Sequence, residues 1–190
     1  YIWLITAPGK NHAVVIDPGD AAPVLERLNS SGLTLEAVLV THHHVDHVGG
    51  VEALVGQCSA PVYGSRNEET PGLTNPVGEG DRISFPEVGF ELTVLETPGH
   101  TAGHVCYVGD GLVLTGDTLF TGGCGRLFGG TPEQMYRSLT RLAELSDATR
   151  IYCAHEYTQS NLRFACAVEP DNQDLLAWQA EADGLRANNR

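Results

Sequence analysis

Apolar residues in this chain come in short runs of two kinds. Runs that are β-branched or alternate with polar residues occupy positions 1–6, 12–17 (HAVVID), 35–41 (LEAVLVT), 60–64 (APVYG), 90–97 (FELTVLET), 104–109 (HVCYVG), 112–116 (LVLTG) and 150–154 (RIYCA). Each predicts a strand. Helical spacing appears at 20–32, from an Asp20 cap to a Gly32 stop, and at 48–57 (VGGVEALVGQ), continuing directly from a histidine-rich stretch. The clearest helix is 132–145, with Thr131 as cap, Pro132 at the first position and Gln134 three residues after the cap. Met135, Leu139, Leu142 and Leu145 recur on its one face and read as core. After His155 only helical patterns follow, at 160–169 and 174–187, the second opening on Leu175, Leu176, Trp178 and Gln179. Gly-rich turns join these elements, with no repeat, low-complexity tract or evident linker. Strands then helices, twice over, predict an α/β domain of two sheets flanked by helices.

Composition narrows the function classes. At 190 residues the chain fits one domain with a sizeable core. A net charge of −13 with only eleven Lys and Arg, and no basic run, argues against a nucleic acid or an anionic membrane as partner. No apolar stretch approaches the roughly 18–20 residues of a membrane span, and no charged segment followed by an apolar run opens the chain, so a cytoplasmic protein is expected. Five cysteines without C-x-x-C spacing predict free, mostly buried thiols. YIWLIT reads as the middle of a strand, so residues upstream of Tyr1 are expected, and the polar GLRANNR ending leaves open whether the chain stops there naturally.

Positions 41–50 read THHHVDHVGG, four imidazoles and a carboxylate within six residues, between a predicted buried strand and a predicted helix. That density exceeds any packing need. His42 and His44, two apart in extended backbone, point the same way, and Asp46 and His47 follow at the helix start. A hydrolytic metal site needs ligands from several segments, because one peptide cannot surround an ion and leave a position open for water. Three strand-terminal candidates lie downstream, His100, Asp117 and His155. The seven groups suffice for two ions if one carboxylate bridges. His43 lies between ligands and is expected to point away; His12 and His104 read as structural, and Asp17 as a brace for the histidine loop.

The motifs THHHVDH, PGHT, GDTLF and HEYT resemble the metallo-β-lactamase superfamily and, within it, the glyoxalase II or hydroxyacylglutathione hydrolase family. The resemblance implies a four-layer αββα sandwich over residues 1–156 and a C-terminal helical segment over 157–190. It implies one metal on His42, His44, His100 and Asp117 and a second on Asp46, His47, His155 and Asp117, zinc first, with iron or manganese as alternatives. Asp46 and Asp117 would then serve catalysis by holding a metal-bound hydroxide that attacks a 2-hydroxyacyl thioester of glutathione, giving a 2-hydroxy acid and glutathione. Two divalent ions, two aspartates and that hydroxide leave about one positive charge for an anionic intermediate. The resemblance further assigns Arg126 and Tyr157 to the glutathione moiety, while Phe128 stands where some members have a contacting tyrosine. A monomer is expected. Family members carry an Arg and a Lys on a helical tail for the glycine carboxylate, and nothing after Glu169 matches that element: Arg186 and Arg190 are the cations there. The natural chain is therefore expected to be longer. Alternative readings are a mononuclear-iron persulfide dioxygenase, whose ligands are a subset of these, a β-lactam hydrolase, and a non-catalytic module of the same fold.

Overall fold

A computed structural model describes residues 1–188; Arg190 and its reading lie outside the described residues. The first sheet runs β1 (Trp3–Ile5), β2 (His12–Ile16), β3 (Thr34–Leu39), β4 (Val62–Ser65), β5 (Asn75–Val77) in that spatial order, antiparallel at β1/β2 and parallel thereafter. The second is built from β6 (Arg82–Phe85), β7 (Phe90–Glu96), β8 (Val105–Gly109), β9 (Leu112–Gly116) and β12 (Arg150–Cys153), ordered β12-β9-β8-β7-β6. β12 joins β9 in parallel and the other pairs are antiparallel. A small hairpin, β10 (Leu119–Phe120) and β11 (Gly123–Cys124), follows β9.

Side-chain alternation explains the layers. On β2 and β3, Ala13, Val15, Val38 and Val40 face outward to α1 (Ala21–Ser31) and α3 (Val51–Cys58), meeting Val24, Leu28 and Leu54. Val14, Ile16, Ala37 and Leu39 face inward, against Leu92, Val94, Tyr107 and Leu114 of the second sheet. These strands read as continuous apolar runs because both their faces are covered. On the far side Cys106 and Val113 meet Leu142 of α4 (Pro132–Ala143). The result is an αββα sandwich, followed by α5 (Thr158–Val168) and α6 (Gln173–Ala187).

Several expectations change in detail. The helix expected at 48–57 is two pieces, α2 (Val45–Val48) and α3, broken at Gly49–Gly50. A Cβ at Gly50 would lie 2.5 Å from Ala21 N and 2.7 Å from Pro18 O, so the close approach of two backbones requires glycine. α4 closes at Ala143, with Met135 and Leu142 buried and Leu139 and Leu145 half-buried. Only Cys106 of the five free cysteines is buried, and Cys124 is exposed, because it sits in the small surface hairpin. The amphipathic face expected of α6 is largely uncovered: Ala182 is its one buried residue, and Leu176, Trp178 and Leu185 are exposed. β5, β6, β10 and β11 had no predicted counterpart. Among the described residues no helix is long and apolar enough to cross a membrane.

The same edge of the sandwich collects the ends of β3, β7, β9 and β12 and the start of β8. Val105 N donates to Thr41 O at 3.0 Å, stitching the two sheets there.

Candidate metal centre

His42 to His47 leave β3 at this edge, His100 lies in the β7–β8 loop, Asp117 follows β9 directly, and His155 follows β12. Ala154 N donates to Gly116 O at 3.1 Å, which carries the parallel β12/β9 pairing onward and sets His155 beside Asp117. All seven predicted side chains meet. His42 Nε2 and His100 Nε2 each lie 3.0 Å from His44 Nδ1. On the other side His155 Nε2 is 3.3 Å from both Asp46 Oδ2 and Asp117 Oδ1, and His47 Nε2 is 3.4 Å from the same Asp117 Oδ1. Asp117 Oδ2 is turned the other way, 3.4 Å from His100 Nε2. One carboxylate therefore presents one oxygen to each group of donors.

Hydrogen bonds fix which imidazole nitrogens stay free. Thr41 Oγ1 donates to Asp17 Oδ2 at 2.8 Å, so it accepts from His42 Nδ1–H at 3.0 Å, and the Nε2 lone pair of His42 faces inward. His100 Nδ1–H donates to Arg126 O at 2.6 Å with the same consequence, and Phe128 N returns a bond to His100 O at 2.9 Å. His47 Nδ1 lies 3.0 Å from Asp17 Oδ2. Asp17, in left-handed backbone at φ 51°, also accepts from Thr41 N at 2.8 Å, so it braces the histidine loop through two hydrogen bonds to Thr41 and a close charge contact with His47. His43 does turn away, onto the Glu68 carboxylate.

Two features carry more than the sequence disclosed. His104, fully buried, stacks on His42 with ring centroids 4.9 Å apart, and its Nε2 accepts from Asp117 N at 3.1 Å while Nδ1 meets the Thr97 and Thr118 hydroxyls. It anchors the backbone of the shared aspartate. Glu68 binds groups on both the histidine loop and the β7–β8 loop. PGHTAGH could have flagged His104; the register that sets the start of β8 against the end of β9 supplies the rest.

The electrostatics describe a cluster that favours a cation. Burial, then the neighbouring imidazoles His104, His47, His100 and His44, push His42 far below the ordinary histidine range. Burial likewise lowers His44, His100 and His155, which favours neutral, ligating imidazole. Burial would also lower His47, but the close Asp17 carboxylate, followed by the charges of Asp117 and Asp46, raises it overall. Asp117 is pushed up to about 7 by burial, with Asp17 and Asp46 adding to the rise against His47. Both ring nitrogens of His47, and Asp117 Oδ1, are buried with no hydrogen-bond partner, Nδ1 having only the charge contact with Asp17. Orphaned groups of that kind cost about 1–3 kcal/mol each, and three imidazole lone pairs aimed at one point repel. Divalent ions answer both problems: donor atoms about 3 Å apart suit ligands roughly 2.0–2.2 Å from a shared ion. The donor atoms of His42, His44 and His100, of His42, His47 and Asp117, and of Asp46, His47 and His155 each fall within 4.8 Å of one another.

The depth is graded. His42, His47, His100 and Asp117 are buried, whereas Asp46 is exposed and His44 and His155 are intermediate, so the cluster opens on that side. Phe128 stands at this mouth with its ring edge-on to His44 and to His100, both at 5.4 Å. The exposed Arg126 guanidinium lies 5.5 Å from the Phe128 ring centre. Across the opening Tyr157 stacks on His155 at 5.3 Å and meets Phe120 at 5.4 Å.

The metallo-beta-lactamase superfamily matches residues 1–155, and the family segment described as hydroxyacylglutathione hydrolase C-terminus matches residues 156–190. A hydroxyacylglutathione hydrolase of Methylobacillus flagellatus is 54% identical over 187 residues, which is 98% of this chain and 74% of the relative. Among solved structures, ETHE1 from Myxococcus xanthus is similar at 37% identity and TM-score 0.74, over 83% of this chain and 71% of that one. TTHA1623 in a di-iron-bound form is similar at 33% identity and TM-score 0.69, over 82% and 86%.

Proposed function

Because this chain belongs to the hydroxyacylglutathione hydrolase family of the metallo-beta-lactamase superfamily, we propose that it hydrolyses S-2-hydroxyacylglutathione thioesters, such as S-lactoylglutathione, with two divalent ions. The observation that carries this reading is Asp117, whose two oxygens face two separate groups of donors. His42, His44 and His100 would hold one ion, Asp46, His47 and His155 the other, and Asp117 would bridge them. Zinc is the first candidate, and the same donors accept iron or manganese. When bound, such a pair supplies a nucleophile from water at neutral pH and a Lewis acid for the thioester carbonyl.

The chain's own residues do the rest. Thr41 and the Arg126 carbonyl hold His42 and His100 in the tautomer that leaves Nε2 free. His104 fixes the Asp117 backbone, and Asp17 fixes the loop. Water adds to the carbonyl carbon, the C–S bond breaks, and the products are a 2-hydroxy acid and the glutathione thiol. Arg126 offers the anionic tripeptide a cation at the mouth, and Tyr157 offers a hydroxyl. Phe128 contributes an apolar edge alone, so the hydrogen bond of a tyrosine at that position is not made.

Metal analysis of protein purified without chelator, together with thiol release from S-lactoylglutathione, tests this. Close to two ions per chain and release that chelator abolishes are expected. A reproducible single ion, or no release with both ions bound, would sink the reading.

A further inference from the structure

Glu68 lies in the turn after β4, outside every motif that marks the site, and its side chain is 3% exposed. Its two oxygens serve two different loops. Oε1 accepts from Thr101 Oγ1 at 2.7 Å and from Gly103 N at 2.9 Å; Oε2 accepts from His43 N at 3.1 Å and meets His43 Nδ1. Thr101 follows His100, and His43 sits between His42 and His44. One carboxylate therefore ties together the two loops that carry the three imidazoles of one donor group. The turn packs hard on its neighbour: a Cβ at Gly103 would lie 2.6 Å from Asn67 O.

A buried carboxylate is costly unless its lone pairs are filled, and a residue needed only for packing would do better without charge. Here four donors converge on it. Burial raises the Glu68 carboxyl, but the hydrogen bonds from Thr101 and His43 outweigh that and hold it below the usual carboxylate range. The charge is kept, and it is spent on holding two backbones at a set distance. Two oxygens in one rigid group do this better than two separate contacts would.

We propose that Glu68 is a positioning residue that sets the spacing of His42 and His44 relative to His100, and thereby how tightly the ion of that group is held; the inference rests on the two-ion reading above. Groups that orient ligands without touching the ion typically change affinity by about 10–100-fold when removed. Glu68→Gln preserves shape and keeps one oxygen for one loop, but turns an NH2 group toward the other loop's donors. His43→Ala removes the ring contact and leaves the backbone bond.

The test is zinc affinity by competition with a chromophoric chelator, on wild type, Glu68→Gln, His43→Ala and a control, Glu79→Gln, whose carboxylate pairs with Arg141 at 2.6 Å on the surface. Wild type and the control should hold two ions. Glu68→Gln should hold one of them as wild type does and the other about 10–100-fold more weakly, with a smaller loss in the same ion for His43→Ala. Loosening of the whole fold would weaken both ions together. If Glu68→Gln does not fold, Thr101→Val removes a single donor and should weaken the same one ion. Two wild-type affinities in the folded variant, or equal weakening of both ions, would overturn the role of Glu68. Fewer than two ions in wild type would overturn the two-ion reading itself, and the wild-type arm shows that separately from the variants.

Discussion

At the scale of single residues, the site works by assigning each polar atom one partner and leaving one lone pair over. Thr41 shows the economy: its hydroxyl donates to Asp17 and accepts from His42, so one side chain fixes both a brace and a tautomer. Thr41→Val keeps the volume and removes both bonds, leaving His42 Nδ1–H buried without an acceptor. That should cost about 1–3 kcal/mol of stability and roughly 10–100-fold in metal affinity. Equal zinc affinity in the variant would show that the tautomer is set elsewhere. Asp117→Asn is a sharper test, because the amide cannot offer an anionic oxygen to each group. Both ions should be lost together in metal analysis; a variant that keeps both, with normal hydrolysis, would mean that Asp117 does not bridge. The convergence of these seven side chains was legible in the sequence because the stretch from His42 to His47 has no packing explanation and His100, Asp117 and His155 each follow a predicted strand. His104 and Glu68 were not, since each acts through a backbone N–H or a neighbouring loop whose proximity exists only after the strands are paired.

At the scale of elements, strands with apolar residues on both faces could be read directly, because a run such as LEAVLV is costly anywhere but between two layers. β5 holds three residues including Pro76 at a sheet edge, and β10 and β11 hold two each, too short to show a period. The break between α2 and α3 was hidden for a different reason: Gly49 and Gly50 look tolerable within a helix until the backbone at 18–21 is seen against them. Helix α4 was the most legible element, and its capping box is formed, with Gln134 N bonded to Thr131 Oγ1 at 3.2 Å and Thr131 N to Gln134 Oε1 at 2.8 Å. Thr131→Ala should cost about 0.5–2 kcal/mol in urea unfolding and leave metal content unchanged, because α4 covers the sheet and carries none of the donors. Gly116 is the opposite case. Its φ of +48° and a Cβ that would fall 2.5 Å from Thr41 Oγ1 and 2.7 Å from His104 Nε2 place it under the site. Gly116→Ala should lower both stability and metal content, and normal metal content would show that the site tolerates that displacement.

At the scale of the whole molecule, the metal-free protein carries a cluster of buried groups whose protonation opposes folding in acid. His42 and His104 are held well below the ordinary histidine value by burial, and His100 is lowered by the same cause. In the unfolded chain each takes up a proton as pH falls through about 6.5, and in the folded chain each does so only at lower pH. Their contribution to stability is thus present above about pH 6.5 and is lost as pH falls below it, by on the order of 1 kcal/mol per pH unit for each group. Asp117 works in the opposite sense: raised to about 7 by burial, it binds a proton in the folded chain at pH values where the unfolded carboxylate has lost its own. Its contribution is present below the unfolded value, near 4, and is lost as pH rises toward 7. In the window from 6.5 down to 5, then, one carboxyl stabilises while three buried imidazoles destabilise, and the imidazoles prevail. His47, raised overall by Asp17, offsets part of this without reversing it. Bound ions act in the same direction, because they stabilise only the folded chain and need its histidines neutral. Urea unfolding should therefore show chelated protein losing roughly 1–3 kcal/mol per pH unit below 6.5. Zinc should raise the midpoint strongly at pH 7.5 and weakly at pH 5.5. Chelated protein that proved more stable at pH 5.5 than at 7.5 would mean that the histidines carry charge inside the fold, and the cluster would then be a network of ion pairs instead of a set of metal donors.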